Sequence, residues 1–169
     1  DGARALEWLP SFPSVSGWKR TTCLYFAAPG TPGAGDRYLR LNAQSGRLVH
    51  NVCFPSDVDP TCAPPGYSLV SVSSHGTHSL GAEALLERVW GELLEWFGPQ
   101  VDAWRHLKTY NIERALPPPV PGNAGPLHWR GSHVCGDHTA YPSLNAALAT
   151  GRLCAEAVLA RERGAPAPL

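Results

Sequence analysis

The stretch VCGDHTAYPSLNAALATGR, residues 134–152, defines a strand-turn-helix unit. Its pattern predicts a short strand over residues 132–135, a Gly136-Asp137 turn, a loop, and a helix over residues 143–161. A carboxylate directly after a strand can accept hydrogen bonds from a hydroxyl-rich ligand, and the unpaired amides that begin a helix attract anionic groups. This order of elements therefore predicts a ligand-binding turn.

The predicted helix is unusually poor in side-chain bulk because alanine dominates it. Small residues let a backbone or a ligand approach closely, whereas Gly151 in the helix interior costs about 1 kcal/mol relative to alanine. We therefore expect a packing reason for Gly151.

Upstream of this unit the sequence predicts a β-sheet. Strand-like segments, β-branched, aromatic or alternating, occupy residues 21–27, 37–41, 48–54 and 67–73, with turn residues between them. The first three segments suggest an antiparallel meander. Residues 57–66 contain three prolines and a glycine, which argues against regular structure there.

One amphipathic helix interrupts the strands, over residues 82–97. Its apolar residues recur at helical spacing opposite acidic and basic ones. Ser79 is the predicted N-cap, and Gly98-Pro99 ends the helix. Residues 104–115 follow as another extended stretch, in which Trp104 and Tyr110 either fill the core or line an apolar pocket.

Composition narrows the classes of function. The 169 residues carry 14 basic and 14 acidic side chains without a basic cluster, which argues against nucleic-acid binding. No apolar run approaches the ~20 residues that span a bilayer. We expect a soluble intracellular protein, with plastid and cytoplasm both open. Because the sequence begins Asp1-Gly2 and has no methionine, we expect a processed product or a fragment.

The five cysteines are odd in number and irregularly spaced. A chain of this length does not need a disulfide scaffold, so free thiols are the prediction. Pairing of Cys53 with Cys62 across the proline-rich loop is the alternative.

The strand-turn-helix unit closely resembles the C-terminal signature of the flavin-containing amine oxidase superfamily, which also includes phytoene desaturase-like enzymes. Further segments resemble one subgroup, the FAD-dependent oxidoreductases with an amine oxidase domain: residues 22–28, 63–72, 96–98 and 104–110. The resemblance covers the chain from about residue 21 to residue 161.

The resemblance implies an α/β (α+β) chain that forms the C-terminal part of an FAD/NAD(P)-binding-type fold with a mixed-sheet substrate domain. Residues 1–126 would belong to the substrate-binding domain, residues 127–163 to the FAD-binding domain, and residues 164–169 to a tail. No G-x-G-x-x-G loop occurs, so the N-terminal Rossmann half that cradles the pyrophosphate is absent.

The resemblance also implies FAD as cofactor, contacted by Gly136, Asp137, Ser143, Leu144 and Asn145. The full-length enzyme would oxidise a C–N or C–C bond of a small-molecule substrate by hydride transfer to flavin, and the 169 residues alone would be inactive. Two alternatives stay open: a non-catalytic interaction module that has lost FAD, and a carotenoid desaturase or isomerase-like flavoenzyme. The sequence assigns no catalytic residue and no oligomeric state.

Other residue patterns carry less weight. His75 with His78 and Cys135 with His138 have spacings that metal sites use, but neither pair has the flanking pattern of a zinc module, so no metal site is predicted. For His138 a structural hydrogen bond is the favoured role over acid–base work. No G-x-S-x-G elbow supports a hydrolase.

Overall fold

A computed structural model describes residues 17–77, 79–119 and 127–162, together with Leu9. It divides into two compact units: Arg20–Glu113, and Asp1–Lys19 with Arg114–Leu169. The predicted tail and the predicted boundary near residue 126 lie outside the described residues. The assignment of the two parts to substrate-binding and FAD-binding domains stays a prediction.

Five strands and two helices account for most of the first unit. The strands are β1 (Lys19–Pro29), β2 (Arg40–Leu41), β3 (Asn51–Cys53), β4 (Tyr67–His75) and β5 (Arg105–Leu116). The helices are α1 (Pro55–Val58) and α2 (Ala82–Phe97), with 3-10 turns at Pro60–Cys62 and Gly98–Ala103. The predicted α+β class is confirmed.

The strands form one antiparallel sheet in the order β2-β3-β4-β1-β5. The expected meander is therefore only partly right: β2, β3 and β4 follow one another, but β1 lies between β4 and β5. Phe26 of β1 pairs with Val70, and Val72 pairs with Val52 of β3. Nine residues of the 11-residue β1 have partners in β4, whereas β2 has only two residues, both paired with β3.

The core lies between one face of this sheet and α2. Alternate residues of β1 are completely buried, and the ring of Phe26 meets that of Trp90 edge-on at 5.7 Å. Burial of each such side chain contributes about 1.5–3 kcal/mol. The core comprises Leu24, Phe26, Ala28, Val49, Val52, Phe54, Val70, Val72, Leu85, Val89, Leu93, Val101 and Trp104.

Helix α2 has the predicted bounds, but its N-cap residue differs from the predicted one. Gly98 follows it with φ 71°, as expected of a helix-ending glycine. The N-cap is Gly81, without a side-chain hydrogen bond, and its carbonyl accepts the Leu85 amide at 3.0 Å. Ser79 is wrong as the cap because it stands two residues too early to reach the first turn.

The proline-rich segment is more regular than expected. Pro55 and Pro60 each stand at the first position of a short helical turn, where a missing N–H costs nothing. The Asp59 carboxylate accepts the Thr61 amide at 2.9 Å and caps the second turn. Proline therefore begins these turns rather than preventing them.

The second unit holds a β-hairpin and a long helix: β6 (Leu127–Trp129), β7 (Ser132–Val134) and α3 (Leu144–Glu162), with a 3-10 turn at Asp137–Thr139. Arg130 and Gly131 both have positive φ, 48° and 85°, as a two-residue type I′ hairpin turn requires. The predicted strand and helix are confirmed to within one residue at each end. None of the described helices is long and apolar enough to cross a membrane.

One buried carboxylate ties α2 to the sheet. Glu92 is only 8% exposed, and its two oxygens accept the backbone amides of Leu48 at 2.9 Å and Val49 at 2.8 Å. Those amides belong to the segment just before β3, in which Val49 is completely buried. Three residues further along α2, Glu95 pairs with Arg47 at the surface at 2.8 Å.

We expect Glu92→Gln to lower the free energy of unfolding by about 1–3 kcal/mol, because the new NH₂ group faces an amide that has lost its acceptor. Urea denaturation followed by tryptophan fluorescence measures the change. The matched control Glu95→Gln removes an exposed ion pair and should cost less than about 1 kcal/mol. Equal effects of the two variants would contradict the anchoring role of Glu92.

Candidate functional site

The turn after β7 has a backbone conformation that only glycine adopts readily. Gly136 has φ 146° and ψ 170°. A Cβ atom on Gly136 would also lie 2.6 Å from Nδ1 and 2.7 Å from Cε1 of His138. Both the backbone angles and the neighbouring imidazole therefore require glycine here.

The hydroxyl of Thr150 holds this turn against α3. It accepts the Gly136 amide at 3.0 Å and donates to the Ala146 carbonyl at 2.8 Å, and Thr150 is only 3% exposed. On the other side of the turn, the Thr139 hydroxyl donates to the Gly136 carbonyl at 2.8 Å. Both polar groups of the glycine backbone are thus satisfied from fixed positions.

Asp137 begins the 3-10 turn and is half-buried. Its backbone carbonyl accepts the Ala140 amide at 3.2 Å. Its carboxylate makes no hydrogen bond or ion pair with the described residues, although its charge acts on His138. The carboxylate is consequently free to accept hydrogen bonds from a ligand.

The start of α3 has a capped side and an open side. The Ser143 hydroxyl accepts the Ala146 amide at 3.0 Å, as an N-cap does, and can still donate its own proton. Leu144 is 76% exposed and Asn145 is exposed. Within the described part of the chain, the amides of these two residues donate no hydrogen bond.

The structure therefore gives the five predicted contact residues different surroundings. Gly136 lies against the second turn of α3 through Thr150, and Asp137 follows it directly. Ser143, Leu144 and Asn145 form the beginning of the same helix. Sequence reasoning missed Thr150, whose one signal is a hydroxyl in an otherwise alanine-rich stretch.

His138 is a partly buried imidazole without a hydrogen bond. Burial lowers its pKa below the ordinary 6.5, and the charge of Asp137 offsets part of that shift. Its Nε2 atom is buried and has no partner in the described part of the chain. The predicted structural hydrogen bond is therefore not found among the described residues, and the imidazole instead lies where a side chain on residue 136 would have to stand.

The expected packing reason for Gly151 is also absent. A Cβ atom built on Gly151 has no other atom within 4 Å beyond the helix's own nearby backbone. Only Ala146 and Thr150 of α3 are buried among the described residues, so most of this helix faces open space. An alanine side chain at position 151 would therefore meet no steric conflict in this structure.

The metal-like spacings do not assemble a site. His78 lies outside the described residues, and the described ranges contain no cluster of three or more metal-ligating side chains. All five cysteines are free, so the alternative pairing of Cys53 with Cys62 is not formed.

A second group of polar and aromatic residues lies on the sheet face opposite α2. The ring of Tyr110 meets that of Tyr25 edge-on at 5.9 Å, and Lys108 Nζ lies 4.7 Å from the centre of the Tyr110 ring. Cys23 Sγ lies 3.6 Å from Ser71 Oγ. We call Cys23, Tyr25, Cys53, Ser71 and Tyr110 the open-face group.

Electrostatics in the open-face group disfavour negative charge. The hydrogen bond with Cys23 raises the pKa of Tyr25, and burial raises the pKa of the Cys53 thiol. These groups are neutral at physiological pH. Trp104, by contrast, is 5% exposed and packs in the core, as the core-filling interpretation predicted.

Comparison with known proteins identifies the fold but no family. No family model and no curated protein matches the chain. A Pyrococcus furiosus protein of known structure is similar, with a TM-score of 0.53 and 19% identity, over 87% of this chain and 33% of that one. An oxidoreductase from Methanosarcina mazei gives 0.57 and 16%, over 78% and 32%. The chain spans about a third of each.

We expect Gly136→Ala to lower the free energy of unfolding by about 1–3 kcal/mol, because alanine disfavours these backbone angles and its methyl group collides with His138. Gly151→Ala is the matched control. It should raise stability by about 1 kcal/mol, since it adds helix propensity without a steric conflict. Thermal unfolding followed by circular dichroism measures both changes, and a Gly136→Ala variant as stable as the wild type would contradict the need for glycine at this position.

We expect His138 to make the chain less stable in mild acid. Because its folded pKa lies below 6.5, the unfolded chain takes up the proton first as pH falls. Stability is therefore full above about pH 6.5 and is lost, at up to about 1.4 kcal/mol per pH unit, as pH falls towards the folded pKa.

Urea denaturation of the wild type and His138→Gln at pH 5, 6 and 7 tests this. The variant should lose less stability between pH 7 and pH 5 than the wild type does. His75→Gln, which removes an imidazole from an exposed position, is the comparison for the general effect of losing one histidine. Parallel pH profiles for the wild type and His138→Gln would exclude His138 as the source.

Proposed function

We propose that this chain is the C-terminal part of an FAD-dependent oxidoreductase of the amine oxidase type. The observation that carries the proposal is the Asp137 carboxylate, which has no partner among the described residues and follows a glycine turn fixed to α3. The resemblance of residues 134–152 to the superfamily signature supports it. The shared fold with part of an oxidoreductase is consistent with it.

Each residue has a distinct role in the proposal. Asp137 accepts hydrogen bonds from the ribityl or ribose hydroxyls. The Leu144 and Asn145 amides present the positive end of the α3 dipole to the electron-rich part of the cofactor. The Ser143 hydroxyl, whose oxygen already accepts the Ala146 amide, retains one proton to donate.

The residues present fit such a cofactor on steric grounds too. Ala146 is only 1% exposed, and its amide already donates to the Ser143 hydroxyl. The Ala146 methyl group therefore lies inside the unit, away from the open end of the helix. The exposed Leu144 and Asn145 form the approach.

When bound, the flavin would supply the redox chemistry by accepting a hydride from a C–N or C–C bond of a small molecule. No described residue is needed as a catalytic base.

FAD binding in this proposal needs more chain than these 169 residues. They contain no G-x-G-x-x-G loop to hold the pyrophosphate, and they span about a third of the similar solved structures. The isolated chain should therefore not retain FAD after desalting. The natural gene product that contains it should retain FAD.

We expect Asp137→Ala in that gene product to weaken FAD binding about 10–100-fold, because a hydrogen bond to a charged group contributes about 1.5–3 kcal/mol. Visible absorbance after desalting and flavin fluorescence titration measure the change. The control Asp102→Ala removes an exposed carboxylate from the other unit and should leave FAD binding unchanged.

A gene product that carries no flavin would overturn the proposal and favour the non-catalytic interaction module. Retention of flavin with an unaffected Asp137→Ala variant would keep the cofactor and exclude the assigned contact. Product analysis with amine and polyene substrates would then distinguish an amine oxidase from a carotenoid desaturase or isomerase-like enzyme.

A further inference from the structure

Two cysteines of the second unit lie on facing elements. Cys135 is exposed and joins β7 to Gly136, and Cys154 is partly exposed on α3. Thr150 and Cys154 are four residues apart in the helix and therefore share one face. The 3.0 Å hydrogen bond from the Gly136 amide to Thr150 fixes the turn against that face.

This register places Cys135 opposite Cys154. The residue before Gly136 in the chain lies towards β7, and the residue one turn after Thr150 lies on the same side of the helix. Strand β7 packs against α3, and the charge of the Cys135 thiolate is, after burial, the next cause that raises the pKa of Cys154. The two thiols thus lie close enough for each to sense the charge of the other.

The remaining cysteines are not arranged this way. Cys23 and Cys53 lie on β1 and β3, which flank β4 on either side, so two inter-strand spacings, about 10 Å, separate their backbones. A disulfide requires Cα atoms within about 7 Å. Cys62 is exposed in the 3-10 turn at Pro60–Cys62.

We propose that Cys135 and Cys154 form a reversible disulfide that ties the end of β7 to α3 beside the Gly136 turn. A disulfide of low molecular weight, such as oxidised glutathione, is the oxidant. This inference does not depend on flavin binding. It makes the turn that carries Asp137 responsive to the thiol redox state of its surroundings.

The reaction balances as two thiol–disulfide exchanges. The exposed Cys135 thiolate attacks one sulfur of oxidised glutathione, the S–S bond of the oxidant breaks, and one glutathione thiolate leaves. The Cys154 thiolate then attacks Cys135 Sγ and displaces the second glutathione thiolate. The cysteine pair loses two electrons, glutathione gains them, and two protons pass from the cysteines to the departing thiolates.

The sequence makes this disulfide easy to detect. Trypsin cleaves after Arg130, Arg152 and Arg161, which puts Cys135 and Cys154 in separate peptides, residues 131–152 and residues 153–161. The full 169-residue chain is equilibrated in glutathione buffers of graded ratio, its remaining thiols are alkylated, and the digest is analysed by mass spectrometry. The measured quantity is the linked peptide pair as a function of the glutathione ratio.

We expect the linked pair to form with an equilibrium constant at least tenfold larger in native buffer than in concentrated guanidinium, because the fold holds the thiols together. Cys62→Ser should leave this value unchanged. Cys154→Ser should stop the reaction at a mixed disulfide between Cys135 and glutathione.

Equal constants in native and denaturing buffer would overturn the proposal. Accumulation of glutathione on Cys135 in the wild-type chain would also overturn it, since that result means that Cys154 is out of reach. Linked peptides that involve Cys23, Cys53 or Cys62 in place of the pair would do the same.

Discussion

The hydrogen bond from the Gly136 amide to the Thr150 hydroxyl fixes the geometry of the candidate site. Among the described residues, this bond joins the turn after β7 to α3 through a buried side chain. The same hydroxyl donates to the Ala146 carbonyl. One buried hydroxyl therefore binds both the backbone of the turn and the backbone of α3. Asp137 owes its position to that arrangement, because it follows Gly136 directly. The arrangement of Cys135 and Cys154 depends on the same register.

Secondary structure was predictable where the sequence pattern is local. The spacing of Leu85, Val89 and Leu93 is enough to define α2, and Gly98 is enough to end it. The strand and helix around Gly136 were likewise predictable to within one residue. Pairing was not: nothing in the composition of β1 states that it joins β4 and β5 rather than β2. That pairing joins segments that are distant in the chain, so no local pattern of residues reveals it.

The candidate site was predictable as a segment but not as a set of contacts. The Gly-Asp pair and the helix start could be located from residue types and the family resemblance. The hydroxyl of Thr150 could not, because it acts from 14 positions away on a backbone amide. The closeness of His138 to Gly136 depends on the φ angle of Gly136, and the types of the neighbouring residues do not reveal that angle. The expectation of a packing reason for Gly151 was wrong, because the low helix propensity of glycine does not reveal which atoms surround the residue.

The position of β1 between β4 and β5 has a consequence for how the sheet assembles. Two side-chain hydrogen bonds mark the two ends of the β1–β4 pairing. At the start of β4, the Ser68 hydroxyl donates to the Gly30 carbonyl, 38 positions away. Just after the end of β4, the Gly76 carbonyl accepts the Thr22 hydroxyl, 54 positions away. Strands β2, β3 and β4 pair with their neighbours in the sequence, whereas β1 pairs with β4, which lies much further along the chain. Such a high contact order slows folding and leaves the edge of β4 exposed in the meantime. During synthesis, β1 therefore emerges before the other four strands of the sheet and pairs with β4 only after at least 38 further residues have followed it.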